Sequence, residues 1–173
     1  MSKKKMTTRE RTQWVAMCGL LVALMLVLGF VESLLPVAAG VPGIKLGLSN
    51  GVLIFAVYML DIPTAFVLMV LKVVLSGLMF GGVNAMMYAF AGGLLSMAAM
   101  ALLSRIKGAH PITVSMAGGV AHNVGQVALA MLILQTPSLL YYMAVLMIAG
   151  LITGAVTGVA ATLVMKHLKK IRG

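Results

Sequence analysis

One short run of hydrogen-bonding residues interrupts an apolar segment, Ala121-His122-Asn123-Val124-Gly125-Gln126. His122 and Gln126 are four positions apart, so on a helix they share one face, with Asn123 beside them. Such side chains can bond to each other and to neighbouring helices, or they can line a binding pocket. Three of them within five positions favour the pocket. No second histidine, cysteine or carboxylate stands at ligand spacing, so a zinc site is not predicted.

A lysine lies in the middle of another apolar segment, Val70-Leu71-Lys72-Val73-Val74. A charge at the centre of a bilayer costs about 2.5–3.5 kcal/mol even on a lenient insertion scale, so Lys72 must face protein or water. Two interpretations stay open. Lys72 is satisfied by backbone carbonyls, helix C-termini or Glu32, or it holds an anionic substrate.

A third cluster is Pro42-Gly43-Ile44-Lys45-Leu46-Gly47-Leu48-Ser49-Asn50. The ammonium of Lys45 would sit at the start of a helix, where free N–H groups also favour an anion. A lysine that only reaches for the membrane surface is an equal alternative there. Asn50 is harder to explain in that way, and Asn84 with Tyr88 repeats the arrangement further along the chain.

Together these residues predict a polar, cationic cavity with no carboxylate to act as a base, and therefore a binding site rather than a reaction centre. No catalytic residue, metal or cofactor is predicted. The expected substrate-binding residues are Lys45, Asn50, Lys72, Asn84, His122, Asn123 and Gln126.

The composition sets the environment of this cavity. Of 173 residues, 62% are hydrophobic and 9% are charged, whereas soluble domains have roughly 45–50% and 25%. A soluble globule, a disordered chain and a disulfide scaffold (Cys18 is the single cysteine) are therefore excluded. The acidic residues Glu10, Glu32 and Asp61 are too few for a carboxylate cluster. The sequence predicts an all-α integral membrane protein.

Six apolar segments predict a bundle of six transmembrane helices within residues 13–165, between a basic cytoplasmic segment at 1–12 and a basic cytoplasmic tail at 166–173. Helix 2 is the shortest, so its outer end is expected to lie below the outer surface, with the loop at 36–44 turned inward. The predicted helices are Gln13–Leu35, Lys45–Leu60, Ile62–Phe80, Asn84–Ser104, Ile112–Gln135 and Ser138–Met165.

The net charge of +10 comes from basic residues that flank these segments, which indicates membrane topology rather than nucleic-acid binding. With both termini inside, the flanking basic residues all face the cytoplasm, which predicts a multi-pass protein of the cell membrane. They are Lys3, Lys4, Lys5, Arg9, Arg11, Arg105, Lys107, Lys166, Lys169, Lys170 and Arg172.

Small residues recur four positions apart, which lets helices approach closely in lipid. The ladders of predicted helices 4, 5 and 6 are expected to pack the protein's own bundle. Gly19 and Ala23 of helix 1 form a shorter pair that is a candidate for docking a partner protein. The ladders are Ala85-Ala89-Gly93, Ala117-Ala121-Gly125 and Gly150-Gly154-Gly158.

Three stretches carry a resemblance to a known family: residues 42–50, residues 118–126 and Leu71-Lys72-Val73-Val74-Leu75-Ser76-Gly77. They resemble the Gx transporter family, which is labelled heptaprenyl diphosphate synthase component I. The wider similarity, over nearly the whole chain, is to S components of energy-coupling factor transporters. It implies capture of a micronutrient-like substrate from outside, in partnership with a membrane T component and two cytoplasmic ATPases. The resemblance also implies that Gly19 and Ala23 meet the T component.

The family label names a synthase, but the sequence excludes a catalytic subunit. Prenyl diphosphate synthases hold magnesium with aspartate-rich motifs, and this chain has one aspartate, Asp61. The sequence also lacks a Walker motif. The leading hypothesis is therefore a non-enzymatic binding subunit for uptake of a small anionic or amphipathic molecule, like a vitamin or an isoprenoid. The alternatives are a non-catalytic accessory subunit of polyprenyl diphosphate or quinone synthesis, and a structural subunit of a redox complex.

Overall fold

A computed structural model describes residues 7–34 and 47–172, and within these ranges the regular structure is entirely helical. Four continuous stretches are long and apolar enough to cross a membrane, so this is a membrane protein. They are Thr8–Ser33, Ile62–Leu103, Pro111–Leu134 and Leu139–Lys170. The helices are α1 Thr8–Ser33, α2 Asn50–Met59, α3 Ile62–Ser76, a π-helical segment Gly77–Gly81, α4 Gly82–Leu103, α5 Pro111–Leu134 and α6 Leu139–Arg172.

Helix α2 is shorter than the predicted Lys45–Leu60. Its ten residues cover about 15 Å, roughly half of a hydrocarbon core. Gly47 to Ser49 form a turn before it, and residues 35–46 lie outside the described ranges. Six membrane-crossing helices with both termini inside therefore stay a prediction.

The stretch from Ile62 to Leu103 is a helical hairpin. The chain reverses at Gly82, whose φ of 71° and ψ of 174° are far from helical values. Side chains from the two arms then meet. A Cβ added at Gly77 would lie 2.7 Å from Met86 Cβ, and one added at Gly93 would lie 2.7 Å from Met69 Sδ.

Helix α5 lies between α4 and α6 and packs against both through glycines. The predicted α6 ladder is confirmed as an internal packing face, because Gly150 lies against Gly119 and Gly158 lies against Ile112. The predicted α5 ladder is only partly confirmed. Gly125 is buried against α4, but Ala117 and Ala121 are only half-buried. Gly118, next to Ala117, is a second glycine that contacts α4.

Two helix ends differ from the predictions for local reasons. α1 begins at Thr8 rather than Gln13, because Thr7 and Glu10 form a reciprocal capping box. α6 continues beyond Met165 to Arg172, so the predicted tail is largely helical. α3 begins directly after a tight turn, where the Asp61 carboxylate accepts a hydrogen bond of 2.7 Å from Thr64 N–H.

Candidate functional site

Helix α2 begins halfway along the central helix α5. Gly47, just before α2, lies against the ring of His122, which is near the middle of Pro111–Leu134. At the other end of α2, the Tyr58 hydroxyl donates to the Ala109 carbonyl at 3.1 Å, beside the start of α5. The two helices are therefore antiparallel, and the N-terminus of α2 lies inside the bundle.

Gly47 is the junction at which three helices meet. Its N–H donates a hydrogen bond to Glu32 Oε1, at the end of α1. Its φ is +87°, and an added Cβ would lie 2.7 Å from Asn50 Nδ2 and 3.0 Å from His122 Cδ2. Glycine is required here both by the backbone conformation and by the lack of space.

The described part of the bundle contains ten buried polar side chains, of which Glu32, Asn50 and His122 contact Gly47. Several of their atoms have no hydrogen-bond partner within the described residues, among them Ser49 Oγ, Asn50 Nδ2 and Ser96 Oγ. Buried polar atoms in proteins are normally hydrogen-bonded, so these donors are able to bond to a polar group that comes from outside the described residues. The side chains, each at most 5% exposed, are Glu32, Ser49, Asn50, Lys72, Ser76, Ser96, Ser115, His122, Asn123 and Gln126.

His122 and Gln126 share one face of α5, as their spacing predicts, and that face meets α4. A Cβ added at Gly92 would lie 2.6 Å from the His122 carbonyl oxygen, 2.9 Å from His122 Nδ1 and 2.8 Å from Gln126 Cγ. The absence of a side chain at Gly92 therefore makes the room that both polar residues occupy. We call Glu32, Gly47, Asn50, His122 and Gln126 the junction cluster.

Asn123 faces a different neighbour. Its amide nitrogen donates to the Leu146 carbonyl of α6 at 2.5 Å, and a Cβ added at Gly150 would lie 2.9 Å from the same nitrogen. The contact ties α5 to α6. A role for Asn123 in substrate binding stays a prediction, and its amide group lies outside the junction cluster.

The remaining predicted site residues are dispersed. Lys72 is 4% exposed and lies on the buried face of α3 with Met69 and Ser76. Asn84 is exposed at the start of α4, so the structure does not bring it to the cluster. Lys45 lies outside the described residues.

The predicted docking pair lies on the outer surface of the bundle. Gly19 and Ala23 are both exposed, and a Cβ added at Gly19 would meet nothing within 4 Å. A shallow depression of about 400 Å³ lies nearer the N-terminus of the same helix, lined by Arg11, Thr12, Val15 and Ala16.

Glu32 and Gly47 are the cluster members that the sequence did not predict as binding residues. The sequence suggests Glu32 only as a partner for Lys72. A signal was present, because Leu21, Met25, Gly29 and Glu32 follow helical spacing and are the buried positions of α1. Gly92 and Ser49 were missed too, since neither stands out until the α4–α5 and α2–α5 contacts are known.

A family model described as heptaprenyl diphosphate synthase component I matches residues 21–164, from α1 into α6. The chain belongs to the heptaprenyl diphosphate synthase component I family. No curated protein matches it, and no solved structure matches it. The matched range contains the whole junction cluster and excludes both basic ends.

In this family member, the described residues contain no group of three or more histidine, cysteine, aspartate or glutamate side chains that could hold a metal ion. Two of the three acidic residues sit at helix starts in exposed surroundings, Glu10 at α1 and Asp61 at α3. What the junction cluster offers instead is hydrogen-bond donors, a buried imidazole and a helix N-terminus within an apolar core. Such a set can bind and orient a polar group.

Proposed function

We propose that this protein is a membrane-embedded binding subunit for a small amphipathic anion, taken up from outside the cell. The observation that carries the proposal is the start of α2 in the middle of the bundle, beside the buried Ser49 hydroxyl and Asn50 amide, which have no acceptor within residues 7–34 and 47–172. Broken or shortened helices whose N-termini end at mid-membrane are the usual way in which membrane transport proteins hold an anionic group.

Two features favour an amphipathic molecule over a simple ion. His122 and Asn50 supply donor groups at the junction cluster, and we propose Lys72 on the buried face of α3 and Lys45 before α2 as the cationic groups. After this polar start, α2 carries apolar side chains that are almost fully buried, such as Leu53 and Ile54. Prenyl diphosphates and vitamin-like molecules with an acidic group both match this combination.

In the leading form of the proposal the protein works as an S-component-like subunit of six membrane-crossing helices, with both termini in the cytoplasm. A T component and two cytoplasmic ATPases then supply the energy for uptake. The exposed small residues Gly19 and Ala23 on α1 give the T component a surface for close helix approach.

The family description favours a second form, a non-catalytic accessory subunit of a prenyl diphosphate synthase. In this form the junction cluster holds the diphosphate of a product or substrate at the membrane, while a soluble partner with its own acidic metal ligands performs the chemistry. Both forms share the same first step, the binding of an amphipathic anion.

Native mass spectrometry and titration of the detergent-purified protein test that first step. Farnesyl diphosphate and a flavin mononucleotide serve as probes, with the neutral farnesol as the matched control. We expect at least one anionic probe to bind. Lys72→Met keeps the apolar stem and removes the charge, so it is expected to weaken that binding by more than tenfold, a loss of roughly 2–5 kcal/mol. Lys107→Met removes an exposed lysine and is expected to have no effect.

Equal binding of an anionic probe by wild type and Lys72→Met would contradict the charge assignment, and preferential binding of farnesol would favour a neutral substrate. Co-purification then separates the two forms. Capture of a T component with ATPases supports uptake, whereas capture of a soluble prenyl synthase supports the accessory role.

The proposed topology has its own test in intact cells, on a Cys18→Ser background. An impermeant thiol reagent is expected to label Val83→Cys and Thr136→Cys from outside, and Gly108→Cys only after permeabilisation. Labelling of Gly108→Cys in intact cells would contradict the N-in arrangement.

A further inference from the structure

We propose that Glu32 is an internal stand-in for the anionic group of the bound molecule, and that binding displaces its carboxylate from the start of α2. This inference rests on the proposed function and adds to it a mechanism by which α1 senses occupancy.

The three acidic side chains of the protein each accept a hydrogen bond from a backbone N–H at a helix start or in the turn just before one. Glu10 accepts from Thr7 N–H at 2.8 Å and Asp61 from Thr64 N–H at 2.7 Å, both across three positions in the chain. Glu32 accepts from Gly47 N–H across fifteen positions, so it joins the last turn of α1 to the turn that precedes α2. It is also buried, whereas the other two hydrogen bonds are exposed.

A carboxylate in this position occupies the place where a ligand anion would bind. The Gly47 N–H lies in the turn before α2, at the positive end of the helix dipole, and the attraction of that end for negative charge is strongest where water is excluded. Glu32 therefore competes directly with any phosphate or carboxylate that enters the junction cluster.

Glu32 satisfies this place incompletely. Asn50 Nδ2 is a donor beside Gly47 with no acceptor within the described residues, and the neighbouring Ser49 Oγ is also without a partner. Both side chains are at most 5% exposed. A diphosphate carries several acceptor oxygens, so it can accept from the adjacent donors Gly47 N–H and Asn50 Nδ2, and Ser49, next to Asn50 in the chain, offers a further buried hydroxyl. This is the physical reason why an external anion can displace the internal one.

Displacement has a structural consequence at the end of α1. Without the Glu32–Gly47 hydrogen bond, the last turn of α1 keeps its contact with the α3 side, where the Phe30 and Phe80 rings meet edge to face at 5.6 Å. Phe30, Val31 and Leu34 are already exposed, so this turn has room to move. The same helix carries Gly19 and Ala23, and occupancy is thereby passed to the surface proposed for docking.

Affinity for farnesyl diphosphate and inorganic pyrophosphate tests the stand-in directly, in the full-length protein in lipid nanodiscs. Glu32→Gln keeps the size and one acceptor oxygen but removes the competing charge. We expect it to bind both probes about tenfold more tightly than wild type, because like charges no longer meet in a dry site. Asp61→Asn removes the equivalent charge at α3 and is expected to leave both affinities unchanged.

A distance measurement adds a readout that a merely structural role would not change. Spin labels at Leu34→Cys and Val83→Cys, on a Cys18→Ser background, report the position of the α1 end. Farnesyl diphosphate is expected to shift the wild-type distance distribution, and Glu32→Gln is expected to show the shifted distribution before any probe is added.

The possible failures are distinguishable. If wild type binds farnesyl diphosphate and a folded Glu32→Gln binds it equally or more weakly, the stand-in is wrong and the proposed function survives. If neither protein binds either probe, both are wrong. Should Glu32→Gln misfold, Glu32→Asp replaces it. Its shorter side chain bonds less well to Gly47 N–H, so the Glu32→Asp protein is expected to bind the probes more tightly than wild type. Weaker binding by this variant would contradict the stand-in.

Discussion

The helices α4, α5 and α6 are held together differently from α1 and the start of α2. In the first region backbones touch. A Cβ added at Gly119 would lie 2.4 Å from the Gly150 carbonyl oxygen, and one added at Gly125 would lie 2.8 Å from the Ala91 carbonyl oxygen. In the second region α1 is mostly exposed and meets the start of α2 through the hydrogen bond between Glu32 and Gly47.

The difference separates a scaffold from a movable part. Close-packed backbones have few alternative arrangements, because a shift loses many contacts at once. A polar contact between two otherwise loosely joined elements can be exchanged for another polar partner at small cost. We therefore expect α4–α6 to hold His122 and Gln126 in place, and the α1–α2 junction to respond to binding.

The largest effect is expected at the junction, from Gly47→Ala. Alanine is strained in the left-handed backbone conformation of this position, and its methyl group would clash with Asn50 and His122. The expected loss of stability is about 2–4 kcal/mol. Gly108 is the matched control, with a φ of +85° and nothing within 4 Å of an added Cβ. Gly108→Ala is expected to cost about 1 kcal/mol. Thermal unfolding in detergent compares the two, and equal losses would mean that the contacts around Gly47 are not tight.

The scaffold is broken by Gly92→Ala, with an expected loss of about 1–3 kcal/mol. The added methyl group meets the His122 carbonyl, which is backbone and cannot move aside. Its neighbour Gly93 is the control, since an added methyl group there meets the flexible Met69 thioether. Gly93→Ala is expected to stay within about 1 kcal/mol of wild type, because alanine also favours the helix. The unfolding midpoints of the two variants measure this difference. If Gly93→Ala is less stable than Gly92→Ala, the contact of Gly92 with α5 is not the more rigid of the two.

Asp61→Ala sharpens the contrast between a local cap and a long-range one. Loss of the exposed N-cap of α3 is expected to lower stability by about 1 kcal/mol. Binding of farnesyl diphosphate is expected to be unchanged, because the cap acts within its own helix. A change in affinity above threefold, measured by titration, would show that α3 capping is coupled to the junction.

The smallest effect on stability is expected from Gly19→Leu. The added side chain points away from the bundle, so the free energy of unfolding is expected to change by no more than about 0.5 kcal/mol. The unfolding midpoint measures this change. If Gly19 and Ala23 dock a T component, uptake in cells falls while binding by the purified protein is retained. Unchanged uptake in both Gly19→Leu and Ala23→Leu would remove the docking proposal.

Periodicity and composition predicted most of the helices, because apolar runs of membrane length have few alternatives to a helix in lipid. The hydrogen-bonding face of His122 and Gln126 followed from spacing alone, since both residues belong to one helix. The start of α2 was less predictable. The apolar sequence continues upstream of Asn50, and the turn at Gly47–Ser49 depends on a positive φ that no periodicity reveals.

The sequence by itself determined that this is an all-helical membrane protein with buried polar residues and glycine-lined helix faces. Each of these depends on residues close together in the chain. Only the tertiary structure decided that Glu32 of α1, Gly47 before α2 and His122 of α5 meet, that Asn123 instead turns to α6, and that Asn84 stays exposed. The reason is that helix rotation and depth are set by packing between helices, and that packing depends on residues far apart in the sequence.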